Sequence, residues 1–199
     1  MTRNFSSVRP LLLKALTLFK EKQIPVMTAL DLGVGSGEET HLLLSLGYQV
    51  TAIDNFEEFL TELYLQERNQ PFLNNLKTVH SNFEELSWND LPQVDLLIAF
   101  YSLVFVQPES FNTLWTNIIE HLKPGGFFIG TMHTRSYKNT QHRGYFREEP
   151  VLVPFRSKEE ILGLFNDFEI IYFENEIILY RENNSLEDTG IYSVIARKN

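Results

Sequence analysis

Two hydrophobic rhythms alternate along the chain. Val8, Leu11, Leu12, Ala15, Leu16 and Phe19 recur at helical spacing, which predicts an amphipathic helix over roughly the first 24 residues. Met27 to Leu32 is a short apolar run and reads as a strand; a glycine-rich turn follows it. Glu38 to Leu46 returns to helical spacing and stops at Gly47. Gln49 to Ile53 is a second strand. Asn55, with Glu58 three residues on, reads as a capping box. Phe56, Phe59, Leu60 and Leu63 then line the inner face of the helix it opens. Leu76 to His80 is a third strand, and Phe83 to Leu86 a short turn of helix. Val94 to Phe100 is continuously apolar, as expected of a central parallel strand covered on both faces. Pro108 suits a first helical turn. Phe111, Leu114, Trp115, Ile118, Ile119 and Leu122 form the next core stripe, which Lys123-Pro124-Gly125-Gly126 ends. Phe127 to Met132 is the fifth strand.

This alternation predicts an α/β fold with a mostly parallel sheet and helices on both faces. The C-terminal third breaks the rhythm. Met132 to Arg156 is polar, aromatic and irregular. Ser157 to Glu160 is another capping box, opening a helix through Phe165. Phe168 to Phe173 is a strand continuing toward Tyr180, Glu182 to Gly190 reads as a turn-rich polar segment, and Ile191 to Arg197 is the last strand. So short a link leaves no room for a helical crossover, so the last two strands are expected to be antiparallel. Ligands in such sheets bind beyond the carboxyl ends of the strands.

Composition narrows the classes. At 199 residues the chain fits one domain, 1–199. A formal net charge of -9 argues against a nucleic-acid partner, which normally meets a basic surface. The absence of cysteine excludes disulfides, thiolate metal ligands and cysteine nucleophiles. No apolar run reaches the roughly 18 residues of a membrane span, and Met1 to Pro10 lacks the apolar core of a signal peptide. The expectation is a cytoplasmic protein, monomer or homodimer, with no membrane partner and no metal site.

Four segments carry chemistry. The first is Asp31-Leu32-Gly33-Val34-Gly35-Ser36-Gly37, between a strand and a helix, where backbone N–H groups point outward. Its alternate glycines let the backbone approach a ligand. The nicotinamide-binding pattern G-x-G-x-x-G is not met, because its third glycine falls on Glu38. That disfavours a dinucleotide-dependent oxidoreductase. The second is Asp54, about twenty residues past Gly33, where an acid accepts hydrogen bonds from both hydroxyls of a ribose. The third is Asn82-Phe83: an amide for an adenine amino group and a ring to pack on the base, or simply the cap of a short turn. The fourth is Ala99-Phe100-Tyr101-Ser102 at the end of the fourth strand, where the reactive end of a bound cofactor would lie, or where two aromatics join the core.

Ala29 to Gly37 resembles the first motif of class I S-adenosylmethionine-dependent methyltransferases. Ala52-Ile53-Asp54 resembles that family's ribose-binding acid, and Leu122 to Gly126 its post-helix turn. Phe155 to Phe173 and Ala196-Arg197-Lys198 resemble small single-domain members related to the tellurite-resistance methyltransferases. The resemblance runs from about Leu11 to Lys198. It implies a Rossmann-like seven-stranded sheet with an antiparallel last strand, and S-adenosylmethionine as cofactor, leaving S-adenosylhomocysteine. It implies Asp31, Gly33, Val34, Gly35 and Gly37 around the methionine part, Asp54 with Asn55 at the ribose, Asn82 and Phe83 at the adenine, and Ala99 and Phe100 beside the sulfonium. Val34 departs from the cysteine or alanine common in relatives. No Asn/Asp-Pro-Pro-Tyr/Phe follows the fourth strand, which weighs against methylation of nucleic-acid bases or of glutamine.

The implied reaction is in-line methyl transfer to a small polar or anionic acceptor. Tyr101 and His133 are the catalytic candidates near the strand ends. The segment 132–156 is the candidate lid: it is locally basic in an acidic chain, and Arg135, Arg143 and Tyr145 are its candidate acceptor contacts. A solvated loop that touches no substrate has the same composition. The glycine turn would look the same in a non-catalytic cofactor-binding module that regulates or scaffolds a partner.

Overall fold

Strands that are apolar on both faces fold stably only when helices cover both faces, and the two helical groups here divide that task. The computed structural model describes residues 8–25, 27–134, 155, 157–180 and 185–199. Helix α1 spans Pro10–Glu21, with proline in its first turn and Leu11, Leu12, Ala15 and Phe19 buried. Strand β1 (Thr28–Leu32) leads through the glycine turn into α2 (Glu38–Ser45). Then come β2 (Gln49–Asp54), α3 (Glu57–Leu65), a 3-10 run Glu67–Asn75, and β3 (Leu76–His80). After β4 (Val94–Ala99) come α4 (Pro108–His121) and β5 (Leu122–His133). Helix α5 (Lys158–Gly163) and the strands β6 (Phe168–Tyr180) and β7 (Ser185–Lys198) complete the order.

The sheet has seven strands in the order β3-β2-β1-β4-β5-β7-β6. The pairs β1–β2, β1–β4, β2–β3 and β4–β5 are parallel, whereas β7 runs antiparallel to both β5 and β6. From β1 the chain winds outward to β3 and then returns to β4, so the switch point lies between β1 and β4. Their carboxyl ends carry the glycine turn and residues 100–102. One face packs Ala29, Val50, Ala52, Ile98 and Ile129 against α1, α2 and α3. The other packs Leu30, Leu97 and Phe128 against α4 and α5, around Trp115, whose ring meets Phe128 and Phe165 at 5.1 Å. Among the described residues no helix is long and apolar enough to cross a membrane.

Three local readings change. The capping box at Asn55 does not form: α3 has no side-chain cap, and it is Asp54 Oδ1 that accepts the Phe56 N–H, at 3.0 Å. The buried carboxylate one residue earlier reaches that N–H, and exposed Asn55 does not. Leu122, placed on the α4 stripe, opens β5. Ser185 to Gly190, read as part of a turn, is strand, pairing with β6 from Ile177↔Asp188 to Tyr180↔Ser185. The Ser157 box is present, with Ser157 Oγ accepting the Glu160 N–H at 3.2 Å.

Candidate active site

The three glycines of the turn all adopt positive φ, at 85°, 50° and 74° for Gly33, Gly35 and Gly37. Their reasons differ. A Cβ on Gly33 would lie 2.4 Å from Ser102 Cβ, and one on Gly37 2.3 Å from Leu63 Cδ2. These two glycines let the turn close against β4's exit and against α3. A Cβ on Gly35 would meet nothing within 4 Å, so the turn opens outward there. Val34 turns its side chain into the core among α1, α2 and α3, so its bulk is absorbed by packing and does not project into that opening. Ser102 Oγ, beside Gly33, is buried with no hydrogen-bond partner among the described residues.

Two buried carboxylates frame the turn. Asp31 is 3 % exposed, and its Oδ2 accepts the Thr40 hydroxyl at 2.5 Å. Burial pushes its pKa up to about 7, against the pull of that hydrogen bond. Asp54 ends β2. Its Oδ2 accepts the Gly35 N–H at 3.1 Å while Oδ1 takes the Phe56 N–H, tying the turn to the second strand. Burial raises its pKa, and the N–H bonds oppose that rise. Each carboxylate oxygen has two lone-pair sites, so Asp54 retains acceptor capacity on both.

Asn82 and Phe83 follow β3. Asn82 is exposed and donates through Nδ2 to Glu85 Oε2 at 3.2 Å within its own turn. Phe83 is half-buried and packs on the α4-side core. Asn55 lies exposed after Asp54, and Ala99 is fully buried.

Beyond β4 the backbone turns sharply. Tyr101 adopts φ 56°, an uncommon conformation for a bulky residue. The surroundings fix it: its N–H donates to Thr131 Oγ1 at 2.7 Å, and its hydroxyl donates to Glu176 Oε2 at 2.6 Å. His133 stands edge-on to the Tyr101 ring, centroids 5.7 Å apart, with Nε2 3.3 Å from Thr131 Oγ1. It is 3 % exposed, and burial pushes its pKa down to about 4, so it is neutral at physiological pH.

Tyr101 and Phe100 border a cleft of about 360 Å³. Its walls come from the start of α1 (Arg9, Lys14), from β5 (Thr131) and from the β6–β7 pair (Tyr172, Glu176, Ser193). Arg135, Arg143 and Tyr145, with most of 132–156, lie outside the described residues. The sequence reading misses Arg9, Lys14, Tyr172, Glu176 and Ser193. One signal was available: Thr131 and Ser193 are polar interruptions in the apolar runs Phe127 to Met132 and Ile191 to Ala196, and the register pairs them across β5 and β7. Nothing local marks Glu176.

A protein-family model described as a methyltransferase domain matches residues 30–130, half of the chain. No curated protein matches the sequence. Among solved structures, TehB from Haemophilus influenzae is 21 % identical with TM-score 0.67, over 93 % of this chain; the chain spans 62 % of TehB. A SAM-dependent methyltransferase from Methanosarcina mazei is 20 % identical with TM-score 0.67, covering 96 % of this chain and 98 % of its own. The 1,6-didemethyltoxoflavin-N1-methyltransferase of Burkholderia thailandensis is 20 % identical with TM-score 0.66, over 98 % and 80 %. The chain belongs to the methyltransferase-domain family, the class I enzymes whose cofactor is S-adenosylmethionine.

Proposed function

We propose that this chain transfers a methyl group to a small polar or anionic acceptor bound in the cleft beside Tyr101. One observation carries the reading. The glycine turn packs on Ser102, and the cleft is bordered by Phe100 and Tyr101, so a cofactor pocket and an acceptor-sized cavity meet at three consecutive residues.

The residues present fit the cofactor. The opening at Gly35 and the orphaned Ser102 Oγ leave room and a hydrogen-bonding partner beside the turn. Asp31, Gly33, Val34, Gly35 and Gly37 would surround the methionine part, with Val34 contributing its backbone only. Asp54 and Asn55 would hold the ribose, Asn82 and Phe83 the adenine, and Ala99 and Phe100 the sulfonium side. When bound, S-adenosylmethionine supplies a methyl group already activated by its sulfonium. The chain's own task is then to hold the acceptor in line, and positioning of that kind supplies much of a rate enhancement. In this reading Tyr101 is the cleft-facing catalytic residue, and His133 is a neutral base behind its ring. Arg135, Arg143 and Tyr145 would approach the acceptor from the 132–156 segment.

Calorimetry with S-adenosylhomocysteine and with NADH tests the cofactor, and transfer of labelled methyl to a metabolite extract tests the reaction. The expected result is S-adenosylhomocysteine binding, no NADH binding and a labelled small molecule. Tight cofactor binding with no transfer to any acceptor would turn the assignment to a non-catalytic regulatory module. The lid contacts fail if Arg135→Ala with Arg143→Ala leaves the acceptor KM unchanged.

A further inference from the structure

Gly37 has no side chain with which to fix its own place. It closes the glycine turn and caps α2 at φ 74°, with no side-chain bond at the cap. The bonds from the end of β2 reach Gly33, Val34 and Gly35, and the Gly37 N–H bonds only within the turn, to Val34 O at 2.9 Å. Two other neighbours set its position. Leu63, on α3, packs so closely that a Cβ on Gly37 would lie 2.3 Å from Leu63 Cδ2. The His41 N–H donates to Gly37 O at 2.8 Å, at the start of α2.

The same two residues meet again at one buried side chain. Asn69 lies in the 3-10 run Glu67–Asn75 and is fully buried. An amide in such a place is costly unless its polar atoms are bonded. Its Nδ2 donates to the Leu63 carbonyl at 2.8 Å. Leu63 belongs to the last turn of α3, where carbonyls lack helical partners. A carbonyl only accepts, so the amide is oriented with Oδ1 toward His41 Nδ1, 2.7 Å away. Oδ1 only accepts in its turn, so Nδ1 carries the ring proton. On the outer side, Arg68 holds Glu38, the residue after Gly37, with two bonds of 2.8 Å.

We infer that Asn69 is a positioning residue for cofactor binding. Through Leu63 and His41 it holds Gly37, and with it the far end of the turn, in the shape that receives S-adenosylmethionine. The inference rests on the placing of the cofactor against the turn and adds what keeps that turn ready.

The test uses the full chain, calorimetry with S-adenosylhomocysteine, and long-range 1H–15N spectra of the histidine rings above their titration range. In the wild type the His41 ring is expected as the Nδ1–H tautomer. Asn69→Ala is expected to lose that signature and to weaken S-adenosylhomocysteine about tenfold, because buried groups left without their partner cost about that much. His41→Ala, at a half-buried position, is expected to weaken it too. His41→Asn, which returns a donor near the Nδ1 position, is expected to recover most of that loss. These two variants carry the test if Asn69→Ala does not fold. Gln70→Ala is the control and is expected to leave affinity unchanged. It removes a bond of 2.5 Å from the same run to the same helix end, at Tyr64 O, that bypasses Leu63 and His41. Equal losses in Gln70→Ala and Asn69→Ala, full affinity in Asn69→Ala, or an Nε2–H ring at His41 in the wild type would overturn the inference. If the wild type does not bind S-adenosylhomocysteine, the placing of the cofactor falls, and the role of Asn69 with it. If it binds and Asn69→Ala binds as well, only the role of Asn69 falls.

Discussion

The glycine turn and the cleft touch at residues 100–102, yet they are assembled in opposite ways. The turn comes from seven consecutive residues, tied to the end of β2 by Ile53 O, which accepts the Gly33 and Val34 N–H, and by Asp54, which accepts that of Gly35. The cleft draws on α1, the end of β4, β5, β6 and β7, elements spread over nearly the whole chain. Their buried ionisable groups are also shifted in opposite senses. Burial raises the Asp31 pKa and lowers that of His133, because desolvation disfavours the charged form of either group. A locally encoded site is sensitive to single backbone positions. A site assembled from distant elements is sensitive to register.

The largest expected effect breaks the turn. In Gly33→Ala the added Cβ meets Ser102 Cβ at 2.4 Å, at φ 85°. Left-handed strain of roughly 1–2 kcal/mol adds to overpacking of about 1–3 kcal/mol, so urea denaturation should register a loss of several kcal/mol. Gly35→Ala has the strain without the clash and should lose only about 1–2 kcal/mol. Its loss of S-adenosylhomocysteine affinity, read by calorimetry, should exceed what its stability loss explains. Equal behaviour of the two variants would erase the distinction between the glycines that seat the turn and the one that faces outward.

That distinction also marks what the sequence can reveal. The turn is legible because its spacing is local, and Asp54 is legible because it ends the next strand, one helix past the turn. The order of strands and the antiparallel end follow from apolar runs and short links. Asn55 misleads because a capping box is also a local pattern, whereas the buried carboxylate beside it wins the N–H. Ser185 to Gly190 carries Ser185, Glu187, Asp188 and Thr189 and no apolar alternation. Backbone pairing with β6, beyond the part of β7 that pairs with β5, makes it a strand. Glu176 enters the cleft through a slip in that same pairing, and no residue pattern announces a slip. Arg9 and Lys14 face the cleft only because of where α1 lies across the sheet.

Next in size is a pair of opposed pH dependences. Unfolded, Asp31 loses its proton near 3.8; folded, it holds it to about 7. Between those values the folded state binds more protons, so this group makes stability fall as pH rises from about 4 to 7. His133 runs the other way. Unfolded it takes a proton below 6.5, folded only below about 4, so its contribution is lost as pH falls from 6.5 to 4. Shifts of this size correspond to on the order of 3 kcal/mol each. The two slopes therefore oppose each other between pH 4 and 6.5. Asp31→Asn should leave stability rising with pH across that window, and His133→Asn should leave it falling. Denaturation midpoints at pH 4.5, 5.5 and 6.5 for both variants give the comparison. Parallel curves for the two would remove burial as the cause.

Within the cofactor side, Asp54→Asn should weaken S-adenosylhomocysteine by about 10- to 100-fold, the worth of a charged hydrogen bond to hydroxyl donors (about 1.5–3 kcal/mol). Asn82→Ala is the smallest effect. Asn82 is exposed and already donates to Glu85 at 3.2 Å, so reaching an adenine means giving up that bond. A neutral hydrogen bond contributes about 1 kcal/mol, so an upper bound of roughly fivefold applies. Glu85→Ala sharpens the result. It frees the Asn82 amide without touching the base, and should leave affinity unchanged or slightly improved if Asn82 contacts the adenine. If Asn82→Ala leaves affinity unchanged as well, Asn82 serves only its turn, and recognition of the adenine passes to the half-buried ring of Phe83. The outward-facing side of the site would then rest on one charged residue, Asp54, with the glycine turn it holds in place.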